Sequence, residues 1–258
     1  MVKYDAAMAK SIEKSYATPD IAQQRLTTIQ SLSLRAGEQV LDVGCGTGFL
    51  TAEMASLVGE QGLVHGLDYS ADMLATAHQR CDDTSQIKLT KASAEALPFP
   101  DNTFDAATCT QVLLYVEDAD KALRELNRTL KPGGRVAIIE TDWRGLVLNS
   151  FDDALTRRII NAFPQEVPNP NLPPSMPKRL SSAGFSNIKC STIPIINLHN
   201  GPAYFAHTAL EWHGKIALKH NIISQDELTA WLDDLDARAR NDDFFMCFDR
   251  YLFNATKA

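Results

Sequence analysis

The chain of 258 residues has no uninterrupted apolar run near the ~18 residues that span a bilayer, so no transmembrane helix is expected. Its opening residues, MVKYDAAMAKSIEKSY, are charged and polar with no apolar stretch of the secretory type, which points to a cytoplasmic protein. Cysteine is sparse and scattered: Cys45, Cys81, Cys109, Cys190 and Cys247 form no C-x-x-C pair and no Cys/His cluster at zinc-ligand spacing. Reduced, mostly buried thiols and no metal are therefore expected. Positive charge is in deficit, with 25 Lys and Arg against 32 Asp and Glu and a net charge of −7. That balance argues against a broad nucleic-acid-binding face and leaves only a local basic patch open.

What is present is a hydrophobic content of 45%, enough for one sizeable α/β core. From Val40 onward, short apolar runs alternate with amphipathic stretches, the mark of βαβ units and a mainly parallel sheet. Strands are expected at 40–43, 63–67, 87–90, 104–110, 135–141, 188–196 and 244–255, seven in all. Lys131-Pro132-Gly133-Gly134 reads as a sharp turn ending a helix that aligns Leu123, Leu126 and Leu130. Residues 164–177 hold half of the chain's prolines and read as a stiff, irregular loop. Two helices follow, the second opened by the capping box Ser224-Gln225-Asp226-Glu227.

The strongest chemical signal is Val40-Leu41-Asp42-Val43-Gly44-Cys45-Gly46-Thr47-Gly48, a buried strand running into alternate glycines and a helix. Glycine suits a loop whose backbone closes on a ligand. Asp68 follows Gly48 by 20 residues, at the end of the next strand, where a carboxylate can accept hydrogen bonds from a ribose. These features alone also fit a nicotinamide dinucleotide. The spacing G-x-G-x-G, and an acid at Asp42 that suits a cationic ligand better than a pyrophosphate, favour S-adenosylmethionine.

In order and spacing, VLDVGCGTG, GLDYSADMLATA, ASAEALPFPDNTFD and LNRTLKPGG resemble the four segments of class I methyltransferases of the small-molecule type, near the ubiquinone/menaquinone methyltransferase-like group. The resemblance is close over residues 38–142, and looser in SYATPDIAQQR and FDRYLFNATK. It implies a Rossmann-like three-layer sandwich with an antiparallel last strand and a helical cap. It also implies S-adenosylmethionine as cofactor, S-adenosylhomocysteine as product and a small-molecule acceptor. Residues 1–36 would be a helical segment closing over the cofactor, and 37–258 the methyltransferase domain with cap insertions at about 143–180 and 200–242.

Carried over by position, Asp42, Gly44, Cys45 and Gly46 would line the methionine moiety, Asp68 would take the ribose, and Tyr69 and Met73 would pack near the adenine. Ser93 and Ala94 would meet the adenine edge, with Ser93 standing where this family commonly has Asp. Gln111 would approach the methionine amino group, while Tyr16 and Arg25 would close over the cofactor, Arg25 pairing the methionine carboxylate. Catalytic assignments are thinner. Tyr115 and Asp142 sit at the carboxyl edge of the sheet, and His207 is a candidate base among His199, His207, His213 and His220, whose spacings suit no helical metal site. An RNA or protein methyltransferase should carry a basic groove, and an oxidoreductase a different glycine spacing, so both rank behind a small-molecule enzyme. A homodimer is compatible with the sequence. Oxygen, nitrogen, carbon and sulfur acceptors all stay open.

Overall fold

The computed structural model describes residues 6–258, with side chains from residue 10 onward. Residues 1–5, part of the expected N-terminal segment, lie outside the described residues. Two helices open the chain, α1 (Ala6–Tyr16) and α2 (Pro19–Leu32), and Pro19 starts α2 at a position where its missing N–H costs nothing. Then β1 (Gln39–Val43), α3 (Phe49–Val58), β2 (Leu63–Asp68), α4 (Ala71–Cys81), β3 (Ile87–Lys91) and β4 (Phe104–Thr110) alternate as the hydrophobic pattern predicts. After α5 (Ala119–Thr129) come β5 (Leu130–Thr141), the two-residue β6 (Val147–Leu148), α6 (Asp153–Ile160), α7 (Met176–Ser182) and β7 (Phe185–Asn197). The chain ends with α8 (Phe205–Lys219), α9 (Gln225–Arg240) and β8 (Met246–Lys257).

The sheet runs β3-β2-β1-β4-β5-β8, with β7 on the far side of β8 and β6 pairing the start of β8. The first five strands are parallel, while β8 runs antiparallel to both β5 and β7. The seven strands read from sequence are therefore present, and β6 is an eighth too short to leave a pattern. The chain winds outward from β1 to β3 and then returns to lay β4 on the other side of β1. This reversal opens a crevice at the carboxyl ends of β1 and β4, where open α/β sheets bind ligands.

Alternation along the strands builds the layers. Leu41 and Val43 share one buried cluster with Ala107, Val136, Ile138, Leu123, Met176 and Leu180, so α5 and α7 cover that face. Val40, Ala106, Ala137 and Ile139 share the other with Ile29, Leu32, Met54 and Val58, so α2 and α3 cover the opposite one. A third cluster lies beyond the sheet's carboxyl edge, where Trp143, Ile159, Phe163, Leu210, Trp231 and Phe248 pack under α6, α8 and α9. The capping box of α9 is made in full: Glu227 N donates to Ser224 Oγ at 3.1 Å and Ser224 N to Glu227 Oε2 at 2.7 Å. Among the described residues no helix is long and apolar enough to cross a membrane.

One local expectation is corrected. Lys131-Pro132-Gly133-Gly134 does not follow a helix through Leu130, because α5 stops at Thr129 and Leu130 already pairs with Phe104. The ladder then jumps to Ala106 opposite Arg135, and residues 131–134 bulge from β5. Proline lacks the N–H that a ladder needs, so the extra residues are expelled at the strand's edge.

Candidate functional site

The crevice at the reversal is lined by Tyr16, Gln24, Arg25, Asp42, Gly44, Cys45, Phe49, Thr110, Gln111 and Arg250, among others, and encloses about 470 Å³ with its mouth included. Its floor is the loop leaving β1. Gly44 has φ +69°, and a Cβ there would meet Val112 Cγ2 at 2.2 Å, so both conformation and space demand glycine. Gly46 has φ +54°, yet a Cβ would meet nothing within 4 Å. The left-handed backbone favours that second glycine, and the space beside it is left open by the protein's own atoms.

Asp68, at the end of β2, accepts Gly46 N at 2.9 Å through Oδ2 and Ser70 N at 2.8 Å through Oδ1. Burial raises its carboxyl pKa while these backbone donors oppose the rise. The acid and the glycine loop thus form one rigid unit. Asp42 is buried, with Oδ2 accepting Thr51 Oγ1 at 2.6 Å and Oδ1 accepting Thr108 Oγ1 at 2.7 Å. Desolvation pushes its pKa up to about 6, so it is mainly anionic at neutral pH. Each carboxylate oxygen can accept more than one donor, which leaves Asp42 free to act on the crevice it lines.

The N-terminal helices are fastened over this loop. Arg80 Nε donates to Thr47 O at 3.0 Å and its Nη2 to Glu13 at 2.7 Å, joining α1 to α4. Arg25 Nε donates to Glu53 at 2.8 Å and Nη1 to Tyr16 O at 2.5 Å. Both guanidinium groups stand over the Phe49 ring, their central carbons 4.7 Å (Arg25) and 3.5 Å (Arg80) from its centre. Arg25 therefore lines the crevice with much of its hydrogen-bonding capacity already spent inside the protein, a fact that bears on its expected carboxylate contact.

The other expected residues spread around the rim. Met73 is buried and Tyr69 exposed beside Asp68, while Ala94 is buried and Ser93 Oγ accepts Glu95 N at 3.1 Å. Gln111 leaves β4 with φ +55°, its N donating to Ile139 O at 2.8 Å and its Oε1 accepting Thr141 Oγ1 at 3.0 Å. Asp142 ion-pairs with Arg144, which holds its carboxyl pKa below the ordinary value, a poor setting for a base. His207 is half-buried on α8 and lies 3.5 Å from Glu211. Tyr115 is half-buried against the cluster under the cap. The four cap histidines do not converge: His199 packs on Tyr204, His220 pairs with Glu166, and His213 is wholly buried among Trp143, Phe163 and Trp212. Among the described residues no group of three or more His, Cys, Asp or Glu could hold a metal.

Several polar groups escape a reading of the sequence. Gln24 Oε1 and Thr110 Oγ1, both on residues lining the crevice, are buried with no hydrogen-bond partner. Glu140 Oε1 accepts Leu113 N at 2.9 Å, its Oε2 has no partner, and burial lifts its pKa to about 8. Arg250 is buried with an unpartnered Nε. The available signal was the inward register of Glu140 after Ile138 and of Arg250 between Phe248 and Leu252, a charge interrupting an apolar face.

Residues 41–138 match the family described as a methyltransferase domain. The chain is 45% identical over 114 residues to demethylmenaquinone methyltransferase of Bacillus licheniformis, covering 44% of this chain and 49% of that protein. It is 45% identical over 116 residues to the ubiquinone/menaquinone biosynthesis C-methyltransferase UbiE of Escherichia coli, covering 44% and 46%. The chain thus spans about half the length of the curated relatives it matches. Among solved structures, it resembles Haemonchus contortus phosphoethanolamine N-methyltransferase 2, bound to S-adenosylhomocysteine and phosphomonomethylethanolamine, with TM-score 0.65 and 20% identity over 98% of this chain and 58% of that one. It also resembles the [4+2]-cyclase SpnF, with TM-score 0.60 and 22% identity over 92% and 80%.

Proposed function

We propose that this chain, whose residues 41–138 form a class I methyltransferase domain, binds S-adenosylmethionine in the β1–β4 crevice and methylates a small-molecule acceptor. The observation that carries this reading is Asp68 locked to Gly46 beside a space that no protein atom fills. The fit of the group rests on chemistry as well as shape. Gln24 Oε1 and Thr110 Oγ1 are buried acceptors without donors, and an ammonium supplies donors. The roles proposed by position are compatible with these placements. Asp68 receives the ribose hydroxyls, and Gly44, Cys45 and Gly46 face the methionine moiety. Tyr69, Met73, Ser93 and Ala94 border the adenine, while Tyr16, Arg25 and Gln111 close the methionine end.

When bound, S-adenosylmethionine supplies an electrophilic methyl on a sulfonium, passed on by in-line displacement. The chain's residues orient it and keep water away. Holding reactants in line is worth on the order of 7–11 kcal/mol of barrier. The fastened N-terminal helices and the aromatic cap under α6 and α8 supply that enclosure. We assign residues 1–36 to cofactor closure and the regions near 143–180 and 200–242 to acceptor choice. The five cysteines are unpaired, which suits the reducing cytoplasm.

Calorimetric titration with S-adenosylhomocysteine and with NADH tests the reading. Binding of the adenosyl ligand alone supports it, whereas binding of NADH alone returns the site to dinucleotide chemistry. Because a cyclase shares the architecture, transfer of a labelled methyl group to a small molecule is the second requirement.

A further inference from the structure

Arg250 sits on β8 where the crevice meets the cap. It is 4% exposed, its guanidinium carbon lies 5.2 Å from the centre of the Phe205 ring and 5.8 Å from that of Phe248, and its Nε has no partner. Among the described residues no carboxylate reaches it at ion-pair distance. Two acids influence it from further off, Asp20 and Glu140. Asp20, which also accepts Ile21 N at 3.0 Å and Asn197 Nδ2 at 2.8 Å, keeps its charge and acts on Arg250 only at a distance. Glu140, with a pKa near 8, is mostly protonated at neutral pH. The neighbouring Tyr16 phenol is raised by burial and stays neutral too. A buried guanidinium with no acid at contact distance among the described residues is costly to keep, and a ligand's anion offsets that cost.

We propose that Arg250 is the recognition residue for the acceptor, and that the acceptor is an organic anion whose carboxylate docks on this guanidinium where it lines the crevice. The inference rests on the methyltransferase reading above. The planar fork of arginine fits a carboxylate with two parallel hydrogen bonds. The cofactor also carries a carboxylate, so the same chemistry has two sources. Arg250 lines the crevice beside Tyr16 and Gln24 of the N-terminal helices, and its guanidinium stands against Phe205 of α8 and Phe248 in the cap cluster; that place on the cap side makes the acceptor the better occupant.

The test titrates benzoate and its neutral isostere benzamide into protein saturated with S-adenosylhomocysteine. Wild type should bind benzoate about tenfold or more tightly than benzamide, the worth of one charge-assisted contact. Arg250→Gln should abolish that preference while leaving S-adenosylhomocysteine affinity within about threefold, and Arg250→Lys should retain part of it. Equal binding of the two probes to wild type, binding of neither, or a preference that survives in Arg250→Gln overturns the proposal. If Arg250→Gln loses S-adenosylhomocysteine itself by about tenfold or more, the guanidinium serves the cofactor's carboxylate and the proposal also falls. The wild-type comparison stands even where a variant fails to fold. Failure of the underlying reading is distinct, since wild type would then bind no S-adenosylhomocysteine at all.

Discussion

At the β1–β2 end of the crevice the chain satisfies its own acids: Asp68 accepts two backbone N–H groups and Asp42 two hydroxyls. At the cap end, Glu140 and Arg250 each keep a buried polar atom without a partner, and His213 keeps both ring nitrogens unpartnered. The first end is built from backbone geometry and short-range contacts, which fixes it in one shape. The second is built from side chains on β5, α8 and β8, which can change without disturbing the sheet. A cofactor common to many enzymes suits the first construction and an acceptor particular to one enzyme suits the second.

The sharpest way to break this contrast is Gly44→Ala. A methyl group 2.2 Å from Val112, at φ +69°, should cost several kcal/mol and abolish adenosyl binding, read by thermal unfolding and calorimetry. Gly46→Ala separates the two causes. With nothing within 4 Å, it should lose only about 1–2 kcal/mol of stability, from its left-handed backbone, yet still lose binding. Near-normal binding in Gly46→Ala would mean that no ligand lies over the loop.

The cap end makes its own mark in pH dependence. Desolvation lowers the His213 pKa to about 3 from an ordinary 6.5. The unfolded chain therefore binds the extra proton between those values, and stability falls as pH drops below about 6.5. At pH 5 wild type should have lost about 2 kcal/mol relative to His213→Leu, compared with their difference at pH 7.5. Glu140 has the opposite sign: its folded pKa is raised from 4.5 to about 8, so the cost of its charge grows as pH rises through that window. Denaturant melts should accordingly show Glu140→Gln gaining on wild type between pH 5 and pH 8. Parallel pH profiles for wild type and both variants would contradict the burial assigned to these groups.

A smaller effect is expected at the adenine edge. Ser93→Asp replaces a neutral acceptor by a charged one and should tighten S-adenosylhomocysteine by about fivefold, the worth of roughly 1 kcal/mol. Unchanged affinity would place the adenine elsewhere.

The same contrast explains how much could be read in advance. The glycine loop, Asp68 and the parallel strands announce themselves through spacing, because each depends on neighbours close in sequence. Arg25 holds Glu53, 28 residues away, and the Tyr16 carbonyl, partners that no local spacing announces. His213 reads as one of four scattered histidines, and only tertiary packing encloses it between Trp143 and Phe163. Gln24, Glu140 and Arg250 carry no local motif, since their meaning comes from elements far apart in the chain meeting at one edge of the sheet. Asp142 had the right position at that edge, but its neighbour Arg144 engages it.

The central claim is that Asp68 and the loop it locks form the cofactor site, and calorimetry on Asp68→Ala tests it most directly. The account predicts a loss of about a hundredfold or more in S-adenosylhomocysteine affinity, from charge-assisted ribose contacts, with the protein still folded by circular dichroism. A folded Asp68→Ala protein that binds the ligand as tightly as wild type would contradict it.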